Sequence, residues 1–201
     1  ISLELKPGEA FNDMEFAAKI GVSRTPVREA VIQLSEESRI IEIFPQRGMR
    51  IAPIDVELVE EARSLRVLLE KQIAGMCCEM ATEEDIKWLQ ENVGLQEFYM
   101  ENSRPEMVMQ LDDEMHHKLF MICHRELTYG MCQKLAIHYD RIRSLSVNTV
   151  KDNTIIEDHR KIIQFIAEHK KENAMAQMEK HLSRWQLNEG KFRQEFPDYF
   201  K

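Results

Sequence analysis

The sequence predicts a mainly α-helical chain: an N-terminal winged helix-turn-helix followed by a C-terminal antiparallel α-helical bundle. Three observations lead there. The run Gly21-Val22-Ser23-Arg24-Thr25-Pro26-Val27-Arg28-Glu29-Ala30 reads as a tight turn delivering a helix with two arginines near its start. Two β-rich runs, 40–44 and 48–52, are joined by Pro45-Gln46-Arg47, a hairpin by its turn chemistry. From Asp55 onward there is no strand signal, only long helical periodicity.

Taken in order, residues 1–9 read as the tail of something already begun. Residues 12–20 form the first helix of the pair, with Met14, Ala17, Ala18 and Ile20 as its expected inner positions. Gly21 suits the positive φ of the turn, Ser23 or Thr25 can cap the next helix, and Pro26 is tolerated in a first turn. Val27, Ala30, Val31 and Leu34 then fall at i, i+3, i+4 and i+7, which turns Arg24, Thr25 and Arg28 outward. Arginine at such a position can fork onto guanine O6/N7 or grip a phosphate. The hairpin supplies a basic tip at Arg47, and Pro53 ends its second strand, so 1–53 and 54–201 are the expected domains.

In the second domain, Leu58, Ala62, Leu65, Leu69 and Ile73 mark a stripe widened by Val56, Val59 and Leu68. Thr82 caps the next helix, with Glu84 and Asp85 in its first turn. Further helices are expected at 104–123, 126–148, 154–169 and 171–194. Breaks at Asn/Ser/Pro, Arg-Glu and Lys151-Asp152-Asn153 divide them, and six helices of this length make an antiparallel bundle.

Composition narrows the function. At 201 residues, with 43% apolar and 31% charged side chains, the chain is ordinary for a globular protein. No apolar run approaches the roughly 20 residues that span a bilayer, and no signal-peptide pattern opens the chain, so a cytoplasmic location without a membrane partner is expected. Cys77, Cys78, Cys123 and Cys132 lack metal-type spacing and read as buried free thiols. The net charge of −8 is concentrated after residue 52; residues 1–52 carry seven basic groups against eight acidic ones. A local positive face around the turn and wing is compatible with that balance, and specific base contacts rather than bulk charge must then supply affinity.

Histidines are the second source of chemistry. Asp113 and His117 stand four apart on one predicted helix, so they share a face. His159 and His181 lie among apolar residues of two later helices. One carboxylate and three imidazoles converging in a bundle core would bind a divalent metal, with zinc, nickel and manganese all possible by ligand type.

The N-terminal stretch closely resembles the DNA-binding domain of GntR-family transcription regulators. Leu5-Lys6-Pro7-Gly8-Glu9, Phe16-Ala17-Ala18-Lys19-Ile20, the unbroken run 21–30 and Phe44-Pro45-Gln46-Arg47-Gly48 carry the resemblance. It implies DNA contacts from Ser23, Arg24, Thr25 and Arg28, and a wing tip at Arg47 and Gly48 that reaches the minor groove. It also implies a helix before the Pro-Gly turn that does not stand in this sequence.

Residues 55–190 resemble the FCD-type effector domain of the FadR subfamily, through Arg66-Val67-Leu68-Leu69-Glu70, Asp113-Glu114-Met115-His116-His117, Glu157-Asp158-His159-Arg160 and Met178-Glu179-Lys180-His181-Leu182. That resemblance implies Asp113, His117, His159 and His181 as metal ligands, with a small carboxylate effector above the ion. Arg66 and Arg143 are the candidates for the effector's other end, with Arg63 and Arg141 as substitutes. The function implied is a homodimeric, metabolite-responsive regulator on a pseudo-palindromic operator, and not an enzyme. The rival reading is a metal-dependent hydrolase with Glu114, His124 or Glu157 as general base.

Overall fold

A computed structural model describes residues 3–149 and 154–201; the Lys151-Asp152-Asn153 break lies outside the described residues. The N-terminal part runs β1 (Ala10–Phe11), α1 (Asp13–Ile20), α2 (Arg24–Glu37), β2 (Ile41–Phe44) and β3 (Gly48–Ile51). Asn12 caps α1 by accepting the Met14 amide at 2.8 Å. Gly21 closes α1 at φ 74°, a left-handed conformation in which any side chain would be strained. The three strands form an antiparallel sheet in the order β1-β3-β2, with Ala10 opposite Arg50 and Ile41 opposite Ile51. Strand β1 was not anticipated, because two residues are too few to show an alternation.

Ala17, Val27, Val31 and Ile41 are the buried centre of this domain. The expected inner face of α1 needs correction. Only Ala17 of its four positions is buried, while Met14 and Ile20 are exposed, and Asp13 takes the inward place. On α2, Ala30 and Leu34 line an open apolar cleft rather than a sealed core.

The bundle comprises α3 (Val56–Met80), α4 (Glu83–Glu101), α5 (Pro105–Ile122), α6 (Glu126–Thr149), α7 (Thr154–Ala167), α8 (Lys171–Leu182) and α9 (Trp185–Glu195). Asp55 caps α3, and Thr82 with Asp85 forms a reciprocal capping box on α4. Helix α3 is the axis, packed against α5, α6, α7 and α8. Gly75 lets α8 approach it closely, since a Cβ there would stand 2.9 Å from Met175 Sδ. All four cysteines are free and buried.

Two differences from the sequence reading affect the site. The buried stripe of α3 passes through Val59, Ala62, Arg66, Glu70 and Ile73, and Leu68 is exposed. It is rotated from the purely apolar stripe because a charged pair occupies its middle. The single helix expected over 171–194 is broken at Ser183. The Ser183 hydroxyl donates to the Glu179 carbonyl at 2.8 Å, and Arg184 turns inward to grip Asp158. Beyond α9, the Ile54 amide donates to the Tyr199 carbonyl and the Lys201 amide to the Ile54 carbonyl, tying the chain's last residues to the junction between the two parts. No described helix is long and apolar enough to cross a membrane.

Candidate metal centre and DNA-facing helix

Four buried side chains from three helices converge. Asp112 and His116 come from α5, one helical turn apart, His159 from α7 and His181 from the last turn of α8. One ligand-type atom from each lies within 4.8 Å of all the others. His159 Nε2 stands 3.3 Å from His181 Nε2 and 3.3 Å from Asp112 Oδ1. Atoms bound at about 2.1 Å to one ion stand roughly 3.0 to 3.4 Å apart, so these separations fit a common cation. His116 Nε2, which faces Asp112 at 3.8 Å, is buried without a hydrogen-bond partner. A buried orphan aimed into the cluster is what a site for an ion leaves behind.

Each ligand is held from behind. The His159 Nδ1–H donates to Gln96 Oε1 at 2.9 Å, and Gln96 in turn donates to Asn92 at 2.7 Å, which leaves the His159 Nε2 lone pair aimed at the cluster. Glu70 Oε2 lies 2.5 Å from His116 Nδ1, an ion-pair distance approached off the hydrogen-bond line, and its other oxygen accepts from Arg66 Nε at 2.5 Å. Asp158 faces His181 Nδ1 at 3.9 Å and is itself fixed by Gln177 and Arg184. Arg143 holds Asp112 Oδ2, while reaching Asp113 at 2.8 Å and Asp140 at 2.6 Å.

The surroundings of His159, His181 and Asp112 favour the form of each that binds a cation. Burial is the largest effect on His159 and pulls it down to about 4, partly offset by Asp112. Burial, then His159 and His116, hold His181 well below the ordinary range. Burial pushes the Asp112 carboxyl up, but Arg143 and the three histidines outweigh it and keep it ionised. Burial likewise raises Glu70, and Arg66 with His116 reverses this to about 2.

Asp113 and His117 must be corrected as ligands. They lie one residue, about 100° of helix, away from the cluster. Asp113 is half exposed on Arg143, and the His117 ring stacks on Tyr129 at 4.4 Å. The sequence alone does not separate the two columns, since both run between apolar residues; burial does. The four-residue column through Asp112 and His116 ends in Val108 and Phe120, both fully buried, whereas that through Asp113 and His117 ends in Met109 and the exposed Met121. Gln96, Glu70 and Asp158 were equally hidden in the sequence, because their role depends on which helices meet.

Beside the cluster, Arg66, Asp112, Tyr139, Arg143 and His181 line a cavity of about 50 Å³. Arg66 is buried, and its Nη1 has no partner. Arg63 is instead occupied by Glu60 and Ser183, and Arg141 by the Ala52 carbonyl.

At the other end, α2 starts at Arg24 with Ser23 in the cap position, its side chain making no capping bond. Arg24 and Arg28 are 54% and 61% exposed, and both lean on the buried carboxylate of Asp13, at 3.0 and 3.7 Å. Burial raises the Asp13 carboxyl but its hydrogen bond to Arg24 is the larger influence and lowers it. Asp13 therefore presents the two guanidiniums side by side. The wing turns at Gln46 and Gly48, with φ of 61° and 98°, and leaves Arg47 exposed.

Profiles of known families match both parts: the gntR family of bacterial regulatory proteins over residues 1–51, and the FCD domain over residues 61–184. The chain belongs to the GntR family, in the branch that carries an FCD domain. This regulator is 28% identical to the HTH-type transcriptional repressor RspR of Escherichia coli over 98% of its own length and 86% of that protein's. It is 26% identical to the Nta operon transcriptional regulator of Aminobacter aminovorans, over 92% and 86%. Among solved structures, E. coli McbR/YncC shares its fold with a TM-score of 0.79 at 18% identity, over 97% of this chain and 92% of that one. The relatives are transcription regulators rather than enzymes, so the hydrolase reading falls.

The support behind the ligands gives a direct test. Gln96→Leu removes the acceptor that fixes the His159 tautomer and is expected to weaken metal binding about 10- to 100-fold in a folded protein. Titration calorimetry showing an unchanged dissociation constant would remove Gln96 from the site.

Proposed function

We propose that this regulator senses a small organic acid through a divalent metal held by Asp112, His116, His159 and His181, and answers by changing its hold on operator DNA. The observation that carries the reading is the convergence of those four buried groups, with His159, His181 and Asp112 held toward their metal-binding forms. Zinc, nickel and manganese all suit one carboxylate and three imidazoles. A bound cation would offer its open positions to a carboxylate oxygen, and Arg66 Nη1 supplies a donor for the rest of the anion. Arg143 lines the same cavity and shares its hydrogen bonds among three carboxylates.

On the DNA side, Arg24, Thr25 and Arg28 read base edges, Ser23 grips phosphate, and Arg47 with Gly48 enters the minor groove. A homodimer places two such helices on a pseudo-palindromic site. The test is a gel shift on the regulator's own upstream region, with and without metal and a panel of small carboxylic acids. A specific shift that the metal and one acid modulate supports the reading; no specific shift with any neighbouring intergenic DNA counts against it.

A further inference from the structure

The link between the two ends of the molecule lies on one helix. On α6, Tyr139, Ile142, Arg143 and Ser146 line the cavity beside the metal cluster. His138 and Arg141, roughly 100° of helical turn per residue away from those positions, face the DNA-binding domain instead. The His138 ring lies against the backbone of Ser38, the residue that ends α2. Arg141 Nη2 donates to the Ala52 carbonyl at 2.5 Å, just past β3, where the Ala52 amide in turn closes onto Ile40. Ile137, next to His138, lines the apolar cleft that Leu34 of α2 also lines.

Arg141 is 4% exposed, and among the described residues no carboxylate is paired with it; burial lowers its pKa to about 10. A buried cation resting on one neutral carbonyl is a costly arrangement, unlike Arg143 two residues on, which is shared among three carboxylates. Such a contact is sensitive to small displacement, because moving the guanidinium away from that oxygen leaves it without a partner.

We infer that α6 transmits the state of the cavity to the DNA-binding domain, with His138 and Arg141 as the side chains that grip its backbone at the end of the recognition helix and the end of the wing. The inference rests on the reading of the cavity as the sensing site. An anion or cation arriving there meets Asp112 and Arg143 and redistributes the hydrogen bonds between them, so α6 shifts or turns. His138 and Arg141 ride on the same rigid helix and change their hold on Ser38 and Ala52. This gives two ligand states different interdomain contacts, which coupling between sites requires.

Hydrogen exchange on the full chain tests this, with zinc alone as one probe and Arg143→Met as an ion-free perturbation of the same end of α6. In the unsubstituted protein each is expected to change amide exchange within residues 38–52 by about fivefold or more. In Arg141→Gln the response of that segment to zinc should fall to near nothing while the zinc dissociation constant stays within about twofold. Arg141→Lys, which keeps a charged donor, should restore part of it. If zinc does not bind, the sensing-site reading fails, and Arg143→Met alone still decides this one. Silence at residues 38–52 on both perturbations, or an equal zinc response in Arg141→Gln, overturns it.

Discussion

His159→Ala is expected to weaken divalent-metal binding by about a hundredfold or more and to abolish the thermal stabilisation that metal confers. His159 is fully buried, and its Nε2 stands 3.3 Å from both His181 Nε2 and Asp112 Oδ1, so its loss opens the centre of the cluster rather than its edge. In the unsubstituted protein, metal at a hundred times its dissociation constant should add about 2.7 kcal/mol of stability, which a thermal melt resolves easily. A pH series adds a signed check on the metal-free protein. The His159 ring stays neutral in the folded state down to about 4, while in the unfolded chain it protonates near the ordinary histidine value of 6.5. The unfolded chain therefore binds the extra proton in that window, and stability falls as pH drops from 6.5 toward 4, by about 1.4 kcal/mol per pH unit for one such group. His159→Ala should show a shallower acid loss. A variant that keeps full metal affinity would dissolve the proposed centre.

Arg28→Ala is expected to cost about 1–3 kcal/mol of operator binding while leaving metal affinity untouched. The side chain stands 61% exposed and is only loosely held by Asp13, so its removal should disturb the fold little. A filter-binding or anisotropy titration on specific and scrambled duplexes separates the two kinds of contact. Loss on the specific duplex alone marks a base reader, and equal loss on both marks a phosphate contact. No loss on either would take Arg28 out of the interface.

Both variants probe features that the sequence displayed unequally. The turn at Gly21, the arginines after it and the hairpin wing were legible because local chemistry decides them: a positive φ, a helix start, a two-strand pattern. The choice between Asp112-His116 and Asp113-His117 was not settled by their shared four-residue spacing, since adjacent columns of one helix offered the same pair. It turned on burial, which Val108 and Phe120 report and Met109 and Met121 do not. On α3 the apolar count misplaced the buried face because Arg66 and Glu70, charged residues, occupy it as a pair. Gln96 behind His159 was out of reach, as nothing near position 96 indicates that α4 will meet α7 there.

The Arg66–Glu70 pair has a consequence for anyone who tries to harden this molecule against heat. Sealing two opposite charges inside a helical bundle is seldom the most stable choice, and well-packed apolar side chains of similar volume often do as well or better. Selection for a higher melting point alone would therefore favour hydrocarbon at these two positions. If Arg66 holds the effector as proposed, the product would be a sturdier regulator deaf to its signal, because the guanidinium it discarded is the one with a donor to spare.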